Sequence, residues 1–124
     1  MNEEAKTLAE KTVKILNKKQ GHDIRMLYVG DLTTLAEYFI ICTANSSTQV
    51  GSLSDAVEEN LSKEGVEPHH IEGLRGGQWV LMDYGNVIVH IMYKEARNFY
   101  NIERLWADAD NIDIEPIVEE GEDK

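Results

Sequence analysis

The sequence predicts an α/β fold: one domain with a mixed sheet and helices on its faces. Three observations carry this. The hydrophobic patterns run helix–strand–strand–helix–hairpin–helix, the order of a layered α/β domain. Residues 38–44, YFIICTA, are apolar at nearly every position, as in a central strand covered above and below. Residues 79–93, WVLMDYGNVIVHIMY, hold two apolar runs around Gly85-Asn86, which suits a two-residue reversal because glycine tolerates positive φ at its first position. A chain of 124 residues with 42% hydrophobic residues fits a single folded core.

Residues 2–19 form the first helix, with Ala5, Leu8, Ala9, Thr12, Ile15 and Leu16 recurring along one face. Asn2 suits its cap, Glu3 and Glu4 its positive end, Lys18 and Lys19 its negative end, and Gly21 its termination. Residues 24–29 make a short strand and 30–34 a loop. Cys42, inside the central strand, reads as a small buried thiol, since no neighbouring base is present in sequence to activate it. The second helix spans 46–64: Ser46-x-x-Gln49 has capping-box form, Val50, Leu53, Val57 and Leu61 form the apolar stripe, and Gly65 and Pro68 end it. A short strand near Ile71 leads into the hairpin. Helix then covers 95–100, and Asn101 suits the cap of a further short helix through Trp106.

Pairing Tyr84 with Val87 sets the hairpin register, so that Asp83 faces Ile88, Met82 Val89, Leu81 His90 and Trp79 Met92. Side chains alternate across a strand. One face therefore carries Val80, Met82, Tyr84, Val87, Val89 and Ile91, plain core. The other carries Trp79, Leu81, Asp83, Ile88, His90 and Met92, apolar but holding a carboxylate and an imidazole. Left open, that second face would expose several hundred Å², roughly the size that marks interaction sites. The helix after the hairpin is a candidate cover, and composition leaves the choice even.

The net charge of −11 narrows the partners. Residues 108–124 hold eight acids against one lysine, a net of −7, leaving about −4 on 1–107. The expected organisation is a domain over 1–107 and a mobile acidic tail over 108–124. Phosphate backbones repel such a chain, so sequence-specific nucleic-acid binding is not expected and a basic protein partner is favoured. No run is long enough to span a bilayer, and the polar, acidic N-terminus lacks signal-peptide form. One cysteine excludes an internal disulfide framework. A cytoplasmic location is expected.

Catalytic readings are thin. Gly51-Ser52 at a helix start resembles the phosphate-holding element of nucleotidyltransferases, but Asp83 lacks the companion carboxylates needed for Mg²⁺. His22, His69, His70 and His90 have no metal-ligand spacing with Cys42. His90, diagonal to Asp83, admits a proton-relay pair, though a structural histidine is the better reading. Asp108, Asp110 and Asp113 lack the glycine and distant glutamate of a calcium loop. Arg97 and Arg104 read as surface ion pairs. No catalytic residue, cofactor or metal is expected.

Taken together, Asp23-Ile24, YFIICTANSS at 38–47, DAV at 55–57, WVLMDYGNVIVH at 79–90, Ala96-Arg97 to Tyr100 and Leu105-Trp106 resemble the ribosomal silencing factor family, also called Iojap-related, over about residues 5–107. The chain departs from the family pattern at Thr48-Gln49, Tyr28 and Glu37. The resemblance implies a nucleotidyltransferase-like α/β fold without the catalytic acids. It further implies a homodimer when free, and binding to the large ribosomal subunit through large-subunit protein fourteen, which blocks joining of the small subunit. Strand alternation, not the resemblance, places the docking surface on Trp79, Leu81, Asp83, Ile88, His90 and Met92, with Arg97 and Tyr100 as neighbours. An assembly or maturation factor for the same subunit is the alternative, and a nucleotide-binding nucleotidyltransferase-type enzyme a weaker one.

Overall fold

A computed structural model describes residues 3–122. Its elements are α1 (Glu3–Lys18), β1 (His22–Tyr28), β2 (Tyr38–Ala44), α2 (Ser47–Ser62), β3 (His70–Leu74), β4 (Trp79–Asp83), β5 (Val87–Tyr93), α3 (Lys94–Tyr100), α4 (Ile102–Leu105), β6 (Asp110–Ile112) and α5 (Glu115–Glu122). They build one six-stranded mixed sheet of order β3-β4-β5-β2-β1-β6. Among the described strands only β2 and β5 pair in parallel: α2 carries the chain from β2 across to β3 at the sheet edge, and β3, β4 and β5 then return antiparallel to one another until β5 lies beside β2. All seven residues of β2 are buried, as a central strand requires.

Helix ends follow local backbone chemistry. The Gly21 amide donates to the Leu16 carbonyl and the Gln20 amide to Asn17, a Schellman closure in which Gln20, not Gly21, takes the left-handed conformation (φ 66°). Gly21 is needed for another reason: a Cβ there would collide with the Cys42 sulfur. Gly65 (φ 82°) closes α2 in the same way, as expected. At the start of α2 the Ser46 hydroxyl accepts from the Gln49 amide, but the Gln49 side chain accepts from Asn45 N rather than Ser46 N and donates to Gln20 O. The proposed cap Asn2 lies outside the described residues. Asn101 does not cap α4 through its side chain. It adopts φ 47° and ends α3, its amide donating to Arg97 O, a conformation asparagine tolerates better than most residues.

The sheet's two faces are covered unequally. One packs Met26, Tyr38, Ile40, Cys42, Met82, Val87, Val89 and Ile91 against Ala5, Ala9, Val13 and Leu16 of α1 and Val50, Leu53, Val57 and Leu61 of α2. The other packs Leu27, Phe39, Ile41 and Met92 against Ala96 of α3, Ile102 of α4 and the half-buried Trp106. Burial raises the Cys42 thiol to about 12, which keeps it neutral and inert.

The expectation of a mobile tail from residue 108 is corrected. Strand β6 pairs with β1 (Met26 opposite Ile112, Tyr28 opposite Asp110), and Ile117 of α5 is buried in the core beside Ile112, Ile114 and Val118. Those four aliphatic side chains, spaced through the acids, bury enough surface to hold the segment, while the Asp113 carboxylate accepts the Glu115 amide at the start of α5.

Candidate protein-docking face

The hairpin has the register read from alternation: Trp79 lies opposite Met92, Leu81 opposite His90, Met82 opposite Val89 and Asp83 opposite Ile88. Gly85 (φ 88°) makes the reversal, and Tyr84 N donates to Val87 O at 2.9 Å. The Asp83 carboxylate accepts the Gly85 amide at 2.8 Å, so this acid braces the turn. It has no contact with His90 that would make a proton relay.

Of the expected docking residues, Trp79, Leu81, Asp83, Ile88 and Tyr100 are half-buried and reach the surface. Three do not. Met92 is fully buried beneath the α3–α4 layer, and His90 and Arg97 are 6% and 5% exposed. The cover supplied by the short helices therefore closes the face over β2 and the later part of β5, while Ile88 and the part of β4 beyond the Trp79–Tyr100 contact stay partly open. Arg97 is also no surface ion pair. Its guanidinium forks onto Glu103 (2.6 and 3.3 Å) and donates to the Asp23 carbonyl and the Thr43 hydroxyl, both at 2.6 Å. It ties α3 and α4 to β1 and β2, a fork geometry that lysine cannot copy.

The neighbouring strand adds a member that sequence reasoning missed. Glu72 of β3 pairs with Leu81 and is exposed, so it shares the face with Asp83 and doubles the acidic rim. Only the β3 register reveals it, and no motif marks that strand. Phe99, 79% exposed, reads from the sequence as apolar helix surface but was not placed on this face. It packs edge-on against Tyr100 with ring centroids 4.9 Å apart. Tyr100 in turn lies 5.0 Å from Trp79. The result is an apolar surface of Trp79, Leu81, Ile88, Tyr100 and Phe99 edged by Asp83 and Glu72. Aromatic anchors with a polar rim are the composition of protein interfaces.

Beneath it sits His90. Its Nδ1 accepts the Trp79 indole N–H at 3.2 Å, and its Nε2 is buried with no hydrogen-bond partner. Burial lowers its pKa to about 4, so it is neutral at physiological pH.

The catalytic readings gain nothing from the geometry. Gly51-Ser52 lies inside α2 rather than at its start, and the Ser52 hydroxyl returns to the Thr48 carbonyl at 3.3 Å. Among the described residues no three His, Cys, Asp or Glu side chains converge to hold a metal. No helix among them is long and apolar enough to cross a membrane.

Comparison with known proteins is direct. The family model described as ribosomal silencing factor during starvation matches residues 2–124. The Halalkalibacterium halodurans protein named ribosomal silencing factor RsfS is 32% identical over 111 residues, covering 90% of this chain and 95% of its own length. A mouse protein named mitochondrial assembly of ribosomal large subunit protein 1 is 26% identical, covering 76% of this chain and 42% of its own. A Chromobacterium violaceum crystal structure superposes with a TM-score of 0.80 at 34% identity, over 86% of this chain and 88% of that one. By sequence along its length, and by fold, this chain belongs to the ribosomal silencing factor family.

Proposed function

We propose that this ribosome-associated translation regulator acts without catalysis, in the cytoplasm, by docking on the large ribosomal subunit and sterically blocking the small one. The observation that carries the reading is the open apolar strip on β4, rimmed by Asp83 and Glu72. A chain of net charge −11 is repelled by ribosomal RNA, so its productive contact is a basic ribosomal protein. Large-subunit protein fourteen is that partner in our reading. The free protein forms a homodimer, and the same apolar strip serves the second copy and the ribosome in turn.

The test is a joining assay. Large subunits incubated with the protein before small subunits are added should sediment apart, with the protein on the large-subunit peak. Bound protein with undiminished joining would overturn steric exclusion. One observation favours a second reading, assembly of the same subunit: the name of the mouse relative. Depletion that accumulates large-subunit precursors, with translation in starved cells unchanged, would select it.

A further inference from the structure

The Trp79–His90 pair assigns a role to a residue that the docking surface itself does not expose. Trp79 is the largest side chain of the strip, and a half-buried indole on a strand has several rotamers open to it. Here its N–H points inward. It donates to His90 Nδ1 at 3.2 Å, the ring centroids lying 6.0 Å apart at 45°. An indole nitrogen is only ever a donor, so Nδ1 must carry the lone pair and the neutral ring must hold its proton on Nε2. Nε2 is buried and unpartnered, so nothing in the surroundings selects the opposite tautomer.

The histidine is itself held. Phe39 of β2 meets it edge-on at 5.2 Å, and Trp106, beyond α4, meets Phe39 edge-on at 5.0 Å. Tyr100 closes on Trp79 from α3. A continuous run of rings, Trp106–Phe39–His90–Trp79–Tyr100, thus crosses the sheet from the covered part of the face to the open part. Within it the Trp79–His90 hydrogen bond is directional and sets how the indole stands.

We propose that His90 is a positioning residue: by accepting the indole N–H it fixes Trp79 with its ring edge turned inward and its aromatic face offered to the ribosomal protein. This rests on the docking reading above and adds a recognition rule to it. The indole N–H is committed within the protein, so the partner meets Trp79 through apolar or cationic groups on the ring face, not through a hydrogen-bond acceptor. Preset anchors bind more tightly because less rotamer freedom is lost on association.

Three variants and two measurements test it. His90→Phe keeps a ring and removes the acceptor; His90→Asn places a side-chain oxygen near the position of Nδ1 and restores it; Trp79→Phe tests the docking reading itself. In the unsubstituted protein, long-range ¹H–¹⁵N spectra should show His90 as the Nε2–H tautomer and a slowly exchanging Trp79 indole proton. That slow exchange should be lost in His90→Phe and kept in His90→Asn. Binding to purified large subunits should weaken about threefold to tenfold in His90→Phe, the worth of one net hydrogen bond, and recover in His90→Asn. An Nδ1–H tautomer, or a fast-exchanging indole, would overturn the proposal without any variant having to fold. So would full binding by His90→Phe while Trp79→Phe binds weakly. If Trp79→Phe binds as well as the unsubstituted protein, the docking reading fails instead, whatever His90 does to the indole.

Discussion

Leu81 and Met82 are adjacent on β4, yet Met82 is fully buried and Leu81 is half-open. The difference lies in what covers them. Helices α1 and α2, 16 residues each, lie side by side on the first face, where α1 packs on β1, β2 and β5 and α2 packs on β2, β5 and β4. Helices α3 and α4 have only 7 and 4 residues, and α3 packs mainly on β5 and β2, meeting β4 through Tyr100 against Trp79. Both faces of the hairpin are apolar. One is a core because the chain supplies enough helix to close it, and the other is a core in the middle and a surface at β4 because the chain does not.

The sharpest way to break this contrast is to truncate both neighbours. Met82→Ala should cost about 2–5 kcal/mol, as buried large-to-small changes do. Leu81→Ala should cost less, about 1–2 kcal/mol, since part of its surface already meets water. Urea unfolding measures both. Equal losses would mean that the second face is as closed as the first.

A smaller effect distinguishes the covered from the open part of the second face. In the folded protein burial holds His90 neutral down to about pH 4, against an ordinary value of 6.5. The residues around it are uncharged: Trp79 and Leu81 on β4, Phe39 and Ile41 on β2. Asp83, on the same face of β4, is engaged with the Gly85 amide. Between those pH values the unfolded chain binds the proton that the native state refuses. Stability from this residue is therefore complete above pH 6.5 and drains as pH falls toward 4, on the order of 3 kcal/mol in all. Urea midpoints between pH 7 and 4 should fall more steeply in the unsubstituted protein than in His90→Asn. Parallel curves would place the imidazole in contact with water.

Much of this was readable in the residues. The hairpin register followed from Gly85-Asn86 and strict alternation, and the depth of β2 from its unbroken apolar run. The state of the second face did not follow, because it depends on how far α3 and α4 reach, which alternation does not encode. Met92, His90 and Arg97 were misplaced for that reason. Arg97 needed two things absent from local pattern: the left-handed Asp23 (φ 47°) that turns its carbonyl inward, and Glu103 six residues on. The 108–122 segment was misjudged because its charge outweighed four aliphatics that only a partner strand and helix could bury.

The central claim is that binding uses the open strip of β4 and not the helical side of the sheet. It is tested most directly by titrating purified large subunits with two single variants. Trp79→Ala removes the anchor of the strip, and Glu59→Lys reverses an exposed charge on α2. Trp79→Ala should bind at least tenfold more weakly, as for an interface anchor, and Glu59→Lys should bind within about twofold of the unsubstituted protein. Full binding by Trp79→Ala together with loss in Glu59→Lys would contradict the claim and move the docking surface to the other side of the sheet.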